Sequence, residues 1–68
     1  MKYYYVDLTS LPPDQRIKEA DQLDTWSFFS HKQFEGENLV GIKIYWEKEE
    51  DFLSSGLVPK GCPCRLIY

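Results

Sequence analysis

The clearest alternation of hydrophobic and polar positions lies in the segment from Asn38 to Trp46. One set of alternating positions is entirely apolar and consists of Val40, Ile42, Ile44 and Trp46. The other set is mixed and consists of Leu39, Gly41, Lys43 and Tyr45. β-Branched and aromatic residues with a two-residue period are typical of a strand, and one fully apolar face favours a place near the middle of a sheet. The segment therefore predicts a central strand around which the chain is organised.

Three further segments predict strands. Lys2 to Leu8 alternates and is rich in aromatic and β-branched residues, as is typical of strands. Trp26 to Lys32 is also interpreted as a strand, because its aromatic residues have low helix propensity, although a helix between Thr25 and Phe34 stays open. Cys62 to Tyr68 offers a short final strand. The Gly and Asn residues in the segment from Glu35 to Asn38 predict a hairpin turn that joins the second strand to the central one.

Two segments predict helices. Pro13 to Asp24 begins with a proline that suits the first helical turn, and its apolar stripe consists of Ile17, Ala20 and Leu23. Glu47 to Ser55 has acidic residues first and is followed by Gly56, which are the expected signals at the start and end of a helix. Both helices are expected to pack against the sheet on the same face.

The order strand, helix, strand, strand, helix, strand predicts a single domain, residues 1–68, with a ferredoxin-like α+β fold (βαββαβ). Right-handed crossovers place both helices on one face of a four-stranded antiparallel sheet, in the spatial order fourth, first, third, second. The expected core lies between sheet and helices and consists of Tyr4, Val6, Leu8, Ile17, Ala20, Leu23, Val40, Ile42, Ile44, Phe52, Leu53 and Leu66.

The opposite face of this sheet has no predicted helix to cover it. Alternation places there the ring-bearing and cationic side chains that we take as candidate partner-binding residues: Tyr3, Tyr5, Phe29, Lys43, Tyr45 and Arg65. Asp7 is the one acidic residue expected among them. A contiguous exposed aromatic patch usually marks a contact surface, and Tyr and Arg carry much of the energy of protein interfaces.

Composition narrows the class of protein. With 16% aromatic and 43% hydrophobic residues in 68, the chain is not of the disordered type. The net charge of −3 argues against duplex nucleic acid or an anionic membrane as the main partner. The sequence has neither a long apolar run nor the pattern of a signal peptide, and its two cysteines are too close for a stapling disulfide, so we expect a reduced, cytoplasmic protein without membrane contact.

Residues with catalytic or metal-binding chemistry are few. His31, Cys62 and Cys64 give three potential zinc ligands, whereas a structural site takes four at recognisable spacing. We interpret Cys64 as a small core residue and Cys62 as a loop thiol. Asp7 near the end of the first strand occupies a position used by some small nucleases with this fold, but one acidic residue does not make an active site. The sequence predicts no enzyme, no cofactor and no metal site.

These observations favour a small non-catalytic interaction or regulatory module that associates with protein through its aromatic sheet face, as a homodimer or with a heterologous protein. One alternative is single-stranded RNA, which RNA-recognition motifs bind by stacking bases on aromatic residues of their first and third strands. Another is an acidic inhibitor of a nucleic-acid-handling enzyme, acting through carboxylates on the helical side. Those carboxylates belong to Asp14, Glu19, Asp21, Asp24, Glu47, Glu49, Glu50 and Asp51.

Overall fold

The structure is a computed structural model and describes residues 2–67. These residues form a four-stranded antiparallel sheet with one α-helix. Its strands are β1 (Lys2–Asp7), β2 (Phe29–Glu35), β3 (Asn38–Trp46) and β4 (Cys64–Leu66). They lie in the order β2-β3-β1-β4, so the two strands expected to be central are central. The strand order and the bounds of β3 agree with the sequence prediction.

The ferredoxin-like prediction is wrong, because residues 2–67 contain one α-helix instead of two. Helix α1 spans Pro13–Trp26. The expected second helix, from Glu47 to Ser55, is a loop that contains only a short 3-10 helix, Phe52–Ser54. Among the described residues, no helix is long and apolar enough to cross a membrane.

Side-chain hydrogen bonds explain why the acidic segment forms a loop. The Asp51 carboxylate accepts the backbone N–H of Leu53 at 3.1 Å and the hydroxyl of Tyr4 at 3.0 Å. The indole N–H of Trp46 donates to the carbonyl oxygen of Glu50 at 2.8 Å. Phe52 is the only buried residue between 47 and 56. A single inward position cannot form the apolar stripe that holds a helix against a sheet.

The core lies on the side of the sheet that α1 and this loop cover, which we call the covered face. Helix α1 packs against β3 and β2, while Phe52 stacks on Tyr4 at 5.1 Å and contacts Trp46 at 5.0 Å between ring centroids. The buried cluster consists of Tyr4, Val6, Leu8, Ala20, Leu23, Leu39, Ile42, Ile44, Trp46, Phe52 and Cys62. The loop thus fills the space that a second helix was expected to occupy.

Several residues assigned to the core from the sequence lie elsewhere. Ile17, Leu53 and Leu66 are exposed, because α1 buries only Ala20 and Leu23 and the missing second helix leaves the β4 side thinly covered. Val40 is half-buried. The cysteine assignments are reversed in part, since Cys62 is buried while Cys64 is half-buried against the core.

The boundary between α1 and β2 also differs from the prediction. The last helical turn closes with the backbone N–H of Ser27 donating to the carbonyl oxygen of Leu23 at 3.0 Å. Consequently α1 extends to Trp26, and β2 covers Phe29–Glu35 instead of starting at Trp26. Strand β4 is shorter than the predicted segment, whose last residue, Tyr68, lies outside the described residues.

Arg16 joins the start of α1 to two other parts of the fold. Its guanidinium donates to the carbonyl oxygens of Leu11 at 2.8 Å, Thr9 at 3.1 Å and Leu39 at 3.3 Å. These acceptors lie in the loop after β1 and near the start of β3. One cation therefore donates to three backbone carbonyl oxygens from two separate parts of the chain.

Candidate functional site

The sheet side opposite α1 brings together all six residues that the sequence proposed for partner binding. We call it the aromatic face and define it by Tyr3, Tyr5, Phe29, His31, Lys43, Tyr45 and Arg65. The strand register arranges these residues in two rows. The ring row consists of Tyr3, Tyr45 and Phe29, and the cationic row, two residues further along, consists of Arg65, Tyr5, Lys43 and His31.

Tyr45 is the centre of the ring row. Its ring centroid lies 4.7 Å from that of Tyr3, 4.8 Å from that of Phe29 and 5.5 Å from that of Phe28. These neighbours leave Tyr45 only 9% exposed, so it supports the surface from below and is not the open ring that the sequence suggested. Burial raises the pKa of the Tyr45 hydroxyl, and the nearby carboxylate of Glu47 raises it further.

Phe28 and Phe29 form the exposed top of this ring cluster. Phe28 is 64% exposed and Phe29 is 47% exposed, and their centroids lie 5.7 Å apart in an edge-to-face arrangement. Phe28 was not among the predicted contact residues, because a strand that begins at Trp26 would turn residue 28 to the other face. The signal that predicts its place is the end of α1 at Trp26, since that junction lets the N–H of Phe28 donate to the carbonyl oxygen of Tyr45 at 2.9 Å.

Two cations lie over tyrosine rings beside the cluster. The Lys43 ammonium is 5.2 Å from the centroid of Tyr3, and the Arg65 guanidinium carbon is 5.0 Å from the centroid of Tyr5. Such separations are typical of cation–π pairs. Each pair covers part of a ring face and leaves positive charge at the edge of the ring cluster.

Tyr5 lies across Gly41, which explains the glycine in the middle of β3. A Cβ atom at position 41 would overlap the hydroxyl of Tyr5 and lie 2.8 Å from the carbonyl oxygen of Val6. The absence of a side chain therefore lets the Tyr5 ring lie flat on the sheet. Burial raises the pKa of Tyr5, as does the carboxylate of Asp7.

A second aromatic–cation contact lies at the end of the sheet next to Phe28. The ammonium of Lys48 is 5.2 Å from the ring of Trp26 and 5.0 Å from the ring of Trp46. Trp26 is exposed, whereas Trp46 belongs to the core. This contact, together with the Trp46–Glu50 hydrogen bond, ties the acidic loop to the ends of α1 and β3.

Two hollows mark the two sides of the sheet. One, of about 330 Å³, lies on the aromatic face among Tyr3, Phe29, His31, Lys43 and Tyr45. Another, of about 290 Å³, lies on the covered face between the start of α1 and the β2–β3 hairpin. The first hollow combines aromatic rings with the Lys43 ammonium and the His31 imidazole.

The groups with potential catalytic or metal-binding chemistry that the structure describes include both cysteines and Asp7. Within residues 2–67, no group of three or more His, Cys, Asp or Glu residues has a geometry that holds a metal ion. Both cysteines are free, and burial raises the pKa of the Cys64 thiol to about 11, which keeps it protonated at neutral pH. The Asp7 carboxylate accepts the N–H and the hydroxyl of Thr9 at 2.9 and 2.6 Å, and these bonds lower its pKa.

Comparisons with known proteins add no assignment. A scan against protein-family models found no match. A search of curated proteins and a search of solved structures found no significant match either.

Proposed function

We propose that this chain is a small non-catalytic interaction module that binds protein through its aromatic face. The observation that carries the proposal is the exposure of Phe28 and Phe29 above a packed ring cluster, on the side of the sheet that α1 does not cover. Aromatic residues held rigid by their neighbours lose little conformational entropy on binding, which suits them to be anchors of an interface. Cations around them supply the polar rim.

Single-stranded RNA fits this face less well. A base-stacking platform needs open ring faces on the central strands. Here Tyr45 is covered by its neighbours, while Lys43 lies over Tyr3 and Arg65 over Tyr5. The phenylalanines that stay exposed lie at one end of the sheet, and the net charge of −3 disfavours a polyanion.

The test compares two exposed phenylalanines of the same strand that lie on opposite faces. Phe29→Ser removes an anchor from the aromatic face, and Phe34→Ser removes a side chain that is 58% exposed on the covered side. We expect Phe29→Ser, and more strongly Phe28→Ser/Phe29→Ser, to weaken protein association at least tenfold. Phe34→Ser should leave it unchanged. Sedimentation equilibrium and capture from native lysate provide the two readouts.

Three results would contradict the proposal. The first is a loss of association with Phe34→Ser but not with Phe29→Ser. The second is an equal loss with both, which would indicate a general effect on solubility. The third is salt-sensitive binding of a mixed single-stranded oligonucleotide that Phe28→Ser/Phe29→Ser removes, in the absence of any protein association.

A further inference from the structure

Strand β3 carries opposite charges on the two sides of Tyr45. Lys43 precedes Tyr45 by two residues in the strand, and Glu47 follows it by two, directly after β3 ends at Trp46. Residues two apart in a strand share a face and are separated by about 6.8 Å along it, and Glu47 lies one residue past the end of β3. Glu47 is exposed and borders the same hollow as Phe28, next to the ring cluster. The ring row therefore has Lys43 on one side and Glu47 on the other, while the ammonium of the neighbouring Lys48 lies over the rings of Trp26 and Trp46.

This order of charges is complementary to itself. Consider a two-fold axis that lies in the interface plane, passes over Tyr45 and runs perpendicular to β3. Rotation about this axis places a residue that precedes Tyr45 in one copy opposite a residue that follows Tyr45 in the other copy. Lys43 of one copy then faces Glu47 of the other, and the reverse pair forms on the other side of the axis. Isologous interfaces require this kind of self-complementarity.

We propose that the aromatic face pairs with the aromatic face of a second copy of this chain, with Lys43 of each copy opposite Glu47 of the other. This inference rests on the proposed function and names its partner. The ring row lies on the axis, so the exposed rings of Phe28 and Phe29 meet the ring cluster of the other copy. Arg65 extends the basic side of the contact.

Charge favours a second copy over a uniformly charged partner. A polyanion or an acidic peptide that covered the ring row and the cationic row would also meet the Glu47 carboxylate, and like charges brought together in an interface are unfavourable. A second copy pairs both signs at once. It also shields apolar rings in a chain of 68 residues, a size at which only about 60% of the unfolded surface is buried on folding.

Reversal of single charges followed by mixing tests the register. Lys43→Glu and Glu47→Lys each place like charges opposite each other across the two-fold axis, so each variant alone should dimerise at least about 100-fold more weakly than the wild-type chain. A one-to-one mixture of the two variants restores both opposite-charge pairs and should form a heterodimer. The double variant Lys43→Glu/Glu47→Lys should also dimerise. Sedimentation equilibrium at increasing protein concentration measures all four samples.

Matched charge reversals away from the face provide the control. Lys18→Glu on the outer side of α1 and Glu49→Lys in the acidic loop change the net charge by the same amounts. Both should dimerise as the wild-type chain does. Circular dichroism of every variant establishes that weak dimerisation does not result from unfolding.

The possible failures separate this inference from the proposed function. If the wild-type chain stays monomeric at every concentration but binds another protein in a way that depends on Phe29, the second copy is wrong and the contact surface stands. If the wild-type chain dimerises and Phe28→Ser/Phe29→Ser prevents it, but the mixed charge variants do not pair, the register is wrong. If neither the rings nor the charges affect any association, both proposals fail.

Discussion

The two faces of the sheet use aromatic residues in different ways. On the covered face, Tyr4, Trp46 and Phe52 are enclosed by α1 and the loop after β3, and they are almost fully buried. On the aromatic face, the rings pack against one another and under cations, and the outermost of them, Phe28 and Phe29, stay exposed. Aromatic content alone therefore does not locate the core. The elements that lie over a ring decide whether it stabilises the fold or offers a contact.

The largest effect should come from the covered face. Phe52→Ala removes a fully buried ring that contacts Tyr4 and Trp46, so we expect the free energy of unfolding to fall by about 3–5 kcal/mol. Phe29→Ala on the aromatic face should lower it by about 1 kcal/mol or less, because half of that side chain is already in water. Urea denaturation followed by tryptophan fluorescence measures both. Equal losses in the free energy of unfolding would mean that Phe29 stabilises the fold as much as Phe52 does, which would contradict the difference between the two faces.

Arg16 connects α1 to the loop after β1 and to β3 at the edge of the covered face. Arg16→Ala leaves three backbone carbonyl oxygens without their donor, and we expect a loss of about 2 kcal/mol in the free energy of unfolding. Arg16→Lys should not restore it, since an ammonium on a flexible stem cannot reproduce the planar fork. Lys18→Ala is the control on the same helix. Full rescue by lysine would contradict the role assigned to the guanidinium geometry.

Gly41 tests whether the aromatic face depends on a flat Tyr5 ring. Gly41→Ala forces that ring away and crowds the carbonyl oxygen of Val6, so we expect a loss of about 1–2 kcal/mol. The variant should also weaken association, because the displaced ring disturbs Arg65 and the cationic row. Gly56→Ala is not a suitable control, since Gly56 has φ +80° and an alanine there is strained. Denaturation together with sedimentation equilibrium separates the two effects.

The smallest effect concerns the loop that replaces the expected helix. The N–H of Leu53 and the hydroxyl of Tyr4 hold the pKa of Asp51 below its ordinary value of 3.8. Because the folded-state pKa is the lower one, this carboxylate stabilises the fold above its unfolded pKa, and the contribution is lost as the pH falls through the folded-state pKa. We expect Asp51→Asn to melt at a lower temperature than the wild-type chain near neutral pH.

The two melting curves should then converge as the pH falls from about 5 to about 2. Asp7, whose pKa is also lowered by its hydrogen bonds to Thr9, leaves part of the acid sensitivity in the variant. Glu49→Gln neutralises an exposed carboxylate of the same loop and serves as the control. A constant difference in melting temperature across the whole pH range would show that Asp51 acts through shape and not through its charge.

The sequence predicted the sheet better than its cover. From Gly41 to Trp46 the residues of β3 lie on the faces that their two-residue period predicts. At the start of the strand the period fails, because a register shift against β2 turns Leu39 into the core and leaves Val40 half-buried. In the segment from Glu47 to Ser55, acids at the start and glycine after the end resemble helix signals. Two contacts of the loop are local, from Trp46 to Glu50 and from Leu53 to Asp51, but the hydrogen bond from Tyr4 to Asp51 spans 47 residues. A contact over that separation has no local signature in the sequence.

The placement of the candidate residues on one face could be predicted from the same alternation, whereas their role in binding stays a prediction. Alternation in β1 and β3 placed Tyr3, Tyr5, Lys43 and Tyr45 on one face, and the register bears out that placement. The exposure of these side chains depends on where α1 ends, and the predicted end at Asp24 was two residues too early. The exposure of the Phe28 ring and the burial of Tyr45 follow from the position of this junction between α1 and β2. Helix ends that are fixed by packing are poorly encoded in local sequence.

Amide hydrogen exchange measured at low and high protein concentration tests most directly whether the aromatic face is the contact surface. Our account predicts that backbone amides of residues 28–31 and 43–45 exchange more slowly as the concentration rises, whereas amides on the outer side of α1, residues 14–22, exchange at a constant rate. Added protection over α1 with no change in the two strand segments would contradict it.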